Sequence, residues 1–207
     1  MRLALFLSAL TVIGAVTAKA DPLAIVALGD SLTAGYQLDP GKGFVPQLQA
    51  ALREKGHDVT VVDAGVSGDT TSGGLARLDW SVGPEAGAVI VELGANDALR
   101  GLDPETTRKN LTAILDRLDE RGLPVLLAGM LAPPNLGEEY GAEFEAVYDD
   151  LSKRDVIYYP FFLDGVAANP SLNLADGMHP TAEGVAVIVQ NILPKVEALI
   201  TKASQRP

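Results

Sequence analysis

The chain has 207 residues, 47% hydrophobic and 21% charged, a composition that suits one globular domain with a full core. A formal net charge of −11 argues against a phosphate-tracking surface, so nucleic acid is not expected as a partner. With no cysteine in the chain, disulfides, thiolate metal sites, a cysteine nucleophile and a lipid-modified cysteine are all excluded.

Residues 1–20 differ from the rest. Arg2 supplies a short positive start, Leu3 to Val16 is almost wholly apolar, and Ala18-Lys19-Ala20 has the A-x-A form of a cleavage site. Such an apolar run is short for a membrane span and normal for a secretory signal peptide. Cleavage after Ala20 is expected, leaving a periplasmic or secreted chain from Asp21 with 14 basic and 27 acidic residues, or −13. No later segment is expected to span a bilayer, and a monomer is expected.

From there, strand-like and helix-like segments alternate. Leu23 to Leu28 is the first apolar run, and Phe44 to Lys55 a helix with Phe44, Leu48 and Leu52 at four-residue steps. Asp58 to Ala64 is a short β-branched run and Ala88 to Leu93 a third apolar one. Pro104 to Arg121 is the clearest helix. It has proline in its first turn, a stripe of Leu111, Ile114, Leu115 and Leu118, and Gly122 at its end. Leu123 to Met130 follows as a strand, Glu138 to Lys153 as an amphipathic helix, and Val156 to Tyr159 as a fifth strand. The last helix is placed from Thr181 to Lys202, where Pro194 is expected to introduce a kink. Five short strands separated by helices predict one α/β domain, residues 21–207, around a parallel sheet covered on both faces.

Ligands in such a sheet bind beyond the carboxyl ends of the strands. Those ends carry Gly29-Asp30-Ser31, then Gly65-Val66-Ser67-Gly68-Asp69, then Gly94-Ala95-Asn96-Asp97. Asp176-Gly177-Met178-His179 stands just ahead of the last helix. This convergence suits acyl transfer. Serine needs a base to take its proton, and a histidine in hydrogen-bond reach supplies one. The histidine in turn needs a carboxylate, which Asp176 can provide from three residues away. The amides of Ser31 and Gly68 and the side chain of Asn96 are candidate oxyanion donors.

Plainer readings exist for each residue. Ser31 alone reads as readily as a helix N-cap, Gly68 as a turn glycine, Asn96-Asp97 as a turn, and Asp30 as a residue that shapes its loop. His57, the other histidine, falls in a turn at the opposite sheet edge and is expected to be a solvated turn residue. Two histidines so placed cannot build a zinc site. No G-x-S-x-G elbow surrounds any serine, and the glycine-rich Ser67 to Gly74 segment, with no basic neighbour nearby, is a weak phosphate-binding signal.

GDSLTAGY, VSGDT, GAND and DGMHP, in that order, resemble the four blocks of the SGNH or GDSL hydrolases, with Ser31, Gly68, Asn96 and His179 at the named positions. VSGDTTSGGLARL and VIVELGANDALRGLDP resemble, more narrowly, the bacterial periplasmic acyl-thioesterase, lysophospholipase and arylesterase branch. The resemblance implies a flavodoxin-like three-layer α/β/α fold with strand order 2-1-3-4-5. It also implies (thio)ester hydrolysis through an acyl-enzyme, without cofactor, on a small acyl ester or thioester. It further implies a mobile substrate loop at Ala98 to Asp103, in which Leu99 and Leu102 are placed to line an apolar acyl groove. Ala95 stands where that branch often has glycine, which bears on loop mobility. Three other readings stay open: a carbohydrate O-deacetylase of the same family, a non-catalytic exported binding module, and a flavodoxin-like nucleotide or flavin carrier.

Overall fold

The computed structural model describes residues 21–205, so the signal-peptide expectation for residues 1–20 lies outside the described residues. In chain order, β1 (Leu23–Gly29) leads into α1 (Ser31–Ala34) and α2 (Phe44–Glu54), and β2 (Val59–Gly65) into α3 (Thr71–Ala76) and α4 (Leu78–Ser81). Next come β3 (Ala86–Glu92), α5 (Ala95–Leu99) and α6 (Pro104–Glu120). β4 (Val125–Ala128) is followed by a short 3-10 turn and α7 (Glu138–Leu151), then β5 (Ile157–Tyr159) and α8 (Ala182–Ser204).

The five strands form one all-parallel sheet in the order β2-β1-β3-β4-β5, as expected. Its central strands are apolar because helices cover both faces. Ile25 to Leu28 of β1 and Ala88 to Val91 of β3 are buried, whereas edge strand β2 exposes Thr60 and Asp63. The α6 stripe of Leu111, Ile114, Leu115 and Leu118 is buried, as its spacing requires. Truncating one such leucine to alanine costs about 2–5 kcal/mol.

One expectation about α8 needs correction. By length and composition it could cross a membrane, contrary to the sequence reading. Its apolar face, including Val185, Ile188, Ile192, Val196 and Leu199, is instead buried, and the helix packs on β3, β4, β5 and α2. Pro194 lies inside the helix, which continues through it to Ser204. The carbonyl that Pro194 leaves without a helical donor belongs to Gln190, an exposed residue where water can replace the bond.

The central strand β3 and its neighbour β1 end on Glu92 and Gly29 directly beneath the loops that carry the candidate residues. Gly29 is required there, because a Cβ would fall on the Thr33 hydroxyl and against the Glu92 carboxylate. The sheet thus delivers its β1 loop to a crowded, polar edge.

Candidate active site

The first loop answers the question of the serine. Asp30, not Ser31, caps α1: its Oδ1 accepts from the Leu32 amide at 2.9 Å. The serine is the first residue of the helix, and its hydroxyl is directed elsewhere. Ser31 is 8% exposed, and its Oγ lies 2.9 Å from His179 Nε2.

His179 reaches that position through a pinned loop. Asn173 and Pro180 form an antiparallel bridge, Leu174 donates its amide to the His179 carbonyl at 2.7 Å, and Thr181 caps α8. Inside the loop, Asp176 Oδ1 accepts the amides of Met178 at 2.9 Å and His179 at 3.0 Å, while Oδ2 lies 2.7 Å from His179 Nδ1. Those two amides and the ring hold the Asp176 carboxyl down at about 2. A charged carboxylate only accepts, so Nδ1 carries the ring proton, and in the neutral imidazole Nε2 accepts the Ser31 hydroxyl proton. The Tyr36 ring rests on the imidazole with centroids 4.5 Å apart and planes tilted by 41°.

On the other side of Ser31, Asn96 Nδ2 donates to Asp30 Oδ2 at 2.9 Å. Gly68 occupies an exposed turn at φ +83°, a left-handed conformation that favours glycine, and its carbonyl accepts from Arg100 Nη2 at 2.7 Å. Leu99 ends α5 half-exposed at 50%. Leu102 is half-buried, with its amide given to the Asp97 carbonyl and its own carbonyl accepting the Tyr140 hydroxyl at 2.7 Å. The segment from Ala98 to Asp103 is therefore fastened at Gly68 and at Tyr140.

Beneath these residues lies a polar layer that sequence reading missed. Asp30 and Glu92 are both fully buried. Glu92 Oε2 accepts the Thr33 hydroxyl at 2.7 Å and the Asp30 amide at 3.3 Å, while Oε1 has no partner among the described residues. Burial pushes the Asp30 carboxyl up to about 6, against the pull of the Leu32 amide and Asn96. Burial, and then the Asp30 charge, pushes Glu92 well above the usual range. Asp97, also buried, accepts the amide and hydroxyl of Thr71 and the hydroxyl of Thr107, tying the Asn96 turn to α3 and α6. The one signal for Glu92 was a carboxylate inside an otherwise apolar run.

Two further placements differ from expectation. His57 is not a free turn residue: its Nε2 pairs with Glu197 Oε1 at 3.0 Å, linking the start of β2 to α8. The segment Ser67 to Gly74 does have basic neighbours, because folding brings Arg77 to Asp69 and Arg100 to Gly68. Among the described residues, no group of three or more His, Asp or Glu side chains is placed to hold a metal ion. Two recesses of about 310 Å³ form elsewhere, one at Asp103, Arg108 and Glu143 and one at Asn169, Asn173 and Gly177; Ser31 lines neither.

A sequence model of the GDSL-like Lipase/Acylhydrolase family matches residues 27–187. The chain is 37% identical over 199 residues to esterase TesA of Pseudomonas aeruginosa, covering 95% of this chain and 99% of that one. It is 36% identical over 189 residues to thioesterase 1/protease 1/lysophospholipase L1 of Escherichia coli, covering 90% and 88%. Among solved structures it resembles AlinE4, an SGNH-hydrolase family esterase, with TM-score 0.74, 44% identity, and coverage of 87% and 98%.

Proposed function

Because the chain belongs to the GDSL-like Lipase/Acylhydrolase family, we propose that it is a serine esterase that cleaves carboxylic esters and thioesters through an acyl-enzyme on Ser31. One observation carries the assignment of residues: the continuous path from Ser31 Oγ to His179 Nε2 at 2.9 Å and from His179 Nδ1 to Asp176 at 2.7 Å.

In the proposed reaction, Ser31 Oγ attacks the acyl carbonyl carbon as its proton passes to His179 Nε2. Asp176, charged at any working pH, keeps the ring oriented and stabilises the imidazolium. The carbonyl oxygen, now negative, is received by the amides of Ser31 and Gly68 and by the second N–H of the Asn96 side chain. The first N–H of that side chain is engaged by Asp30, which turns the amide. Protonation by His179 releases the alcohol or thiol. Water then attacks the acyl-enzyme with the same histidine as base, regenerating Ser31 and freeing the acid. No step requires a cofactor. Leu99, half-exposed beside the Asn96 turn, and Leu102 are the proposed acyl-facing residues.

Export completes the proposal. Its support is the pattern of Arg2, the apolar run Leu3 to Val16 and Ala18-Lys19-Ala20, and N-terminal sequencing of the secreted or periplasmic protein tests it.

The deciding experiment on function pairs p-nitrophenyl ester hydrolysis with fluorophosphonate labelling. Wild-type protein is expected to hydrolyse the ester and take up one label, and Ser31→Ala to do neither. Full hydrolysis by the folded Ser31→Ala variant overturns the assignment.

A further inference from the structure

We propose that Arg77 is a positioning residue of this site, setting the separation between the turn that carries Ser31 and the turn that carries Gly68. The inference rests on the reading above, in which those two backbone amides receive the oxyanion.

The arginine stands at the end of α3 with its side chain only 15% exposed, and it reaches under both turns. Its Nη2 donates to the Gly29 carbonyl at 2.8 Å, two residues before Ser31. Its Nη1 donates to the Ala64 carbonyl at 2.8 Å and to Ser81 Oγ at 2.9 Å. Its Nε donates to Asp69 Oδ2 at 2.6 Å, and Asp69 is the residue directly after Gly68. One planar guanidinium therefore spans the carboxyl ends of β1 and β2 and grips the turn beyond β2. A fork of fixed geometry can do this; a flexible ammonium with a single charged centre cannot reach the same acceptors together.

The Gly68 turn has need of such a hold. It is exposed and bends through a positive φ, so its own packing fixes little. The Asp69 amide closes the turn on the Val66 carbonyl at 3.0 Å, and the Val66 amide in turn donates to the Gly29 carbonyl at 3.0 Å. Arg77 thus shares the Gly29 carbonyl with the backbone of the very turn it steadies. An oxyanion donor acts only when it is already aimed at the place where charge develops. Gly73 shows how closely the arrangement is fitted. A Cβ at that position would fall on Asp69 Oδ1, so a larger residue displaces the carboxylate from Arg77.

The test uses the full chain and four variants: Arg77→Met, Arg77→Lys, Asp69→Asn and Gly73→Ala. Each is assayed for kcat and KM on p-nitrophenyl butyrate. Each is also titrated with an alkyl trifluoromethyl ketone, whose carbonyl carbon bonds to a serine Oγ while the serine proton passes to histidine, leaving an oxyanion. Arg77→Met is expected to lower kcat about 10- to 100-fold with KM within about twofold, the signature of a donor misplaced by roughly an ångström. The ketone Ki is expected to rise by the same factor as kcat/KM falls. Arg77→Lys is expected to restore part of the loss. Gly73→Ala raises helix propensity, so its loss of kcat cannot be put down to a weaker helix; it and Asp69→Asn keep the test decisive if Arg77→Met does not fold. Folded variants with wild-type kcat and Ki overturn the proposal, as does a rise in KM alone. Ser31→Ala, run alongside, separates the two readings. If it stays active, the serine assignment fails and this inference with it; if it is dead while the Arg77 and Gly73 variants match wild type, only the positioning role fails.

Discussion

The side-chain amide of Asn96 donates to Asp30 Oδ2 at 2.9 Å, so the residue beside the proposed nucleophile fixes the direction of a side chain 66 positions away. If Asn96 serves the oxyanion with its other N–H, Asp30 works through it. Asn96→Ala is expected to lower kcat about 10²- to 10³-fold, the usual cost of one lost donor. Asp30→Ala is expected to show a comparable loss, and the double variant little more than either alone, because one interaction is being removed twice. Losses that add in the double variant would sever the link.

The buried Glu92 makes stability depend on pH. Its carboxyl stays protonated in the fold well above 4.5, the value it takes without these surroundings, and ionises there once unfolded. The unfolded chain therefore binds fewer protons across that window, and stability falls as pH rises through it. The contribution is fully present below about pH 4.5 and lost as pH climbs towards the folded value. Asp30 acts with the same sign between 3.8 and about 6. Glu92→Gln is expected to gain stability relative to wild type as pH rises above 4.5 in urea melts, because it removes this titration. A pH-independent difference between the two proteins would show that Glu92 is not held protonated.

Asp176 has the opposite sign. The amides of His179 and Met178, with the imidazole, hold its pKa at about 2 against an ordinary 3.8. Its contribution is present above 3.8 and lost only as pH falls through about 2. No inflection from Asp176 is expected in a pH–rate profile above about pH 4. Asp176→Ala is expected to lower kcat about 10²- to 10⁴-fold, and to slow fluorophosphonate labelling of Ser31 in parallel, because the histidine loses its orienting partner. Unchanged labelling kinetics would show that the carboxylate only closes its loop.

His57 belongs to the other end of the molecule. Its ring pairs with Glu197 at 3.0 Å, with 27% and 34% of the two side chains exposed. His57→Ala is expected to leave kcat and KM unchanged and to cost about 0–1 kcal/mol in a denaturant melt, the scale of a partly solvated pair. A loss of activity without a loss of stability would contradict a purely structural role.

Much of this site is legible in the sequence because the relevant signals are local. The apolar runs are set by residues that must be buried on both faces of a parallel sheet, as the burial of Ile25 to Leu28 and Ala88 to Val91 shows. The residues just after each run then fall at one edge of the sheet, and Ser31, Gly68 and Asn96 were singled out on that ground. Asp176 and His179 are three apart, so their meeting in one turn was also a local inference.

What local pattern could not say is which carboxylate does which work. Asp30, Glu92 and Asp176 are the same chemistry in three surroundings: burial raises the first two, and the amides of His179 and Met178 lower the third. The N-cap assignment turned on a similar detail: two adjacent residues could both cap α1, and backbone geometry gave the task to Asp30. Arg77 carries no local signal of its role, which exists only because folding lays the carbonyls of Gly29 and Ala64 against it. The order of residues along this chain determined the sheet, its edge and the side chains brought there. Only tertiary structure decided their partners, because desolvation and hydrogen bonding act through space, between groups that the sequence holds far apart.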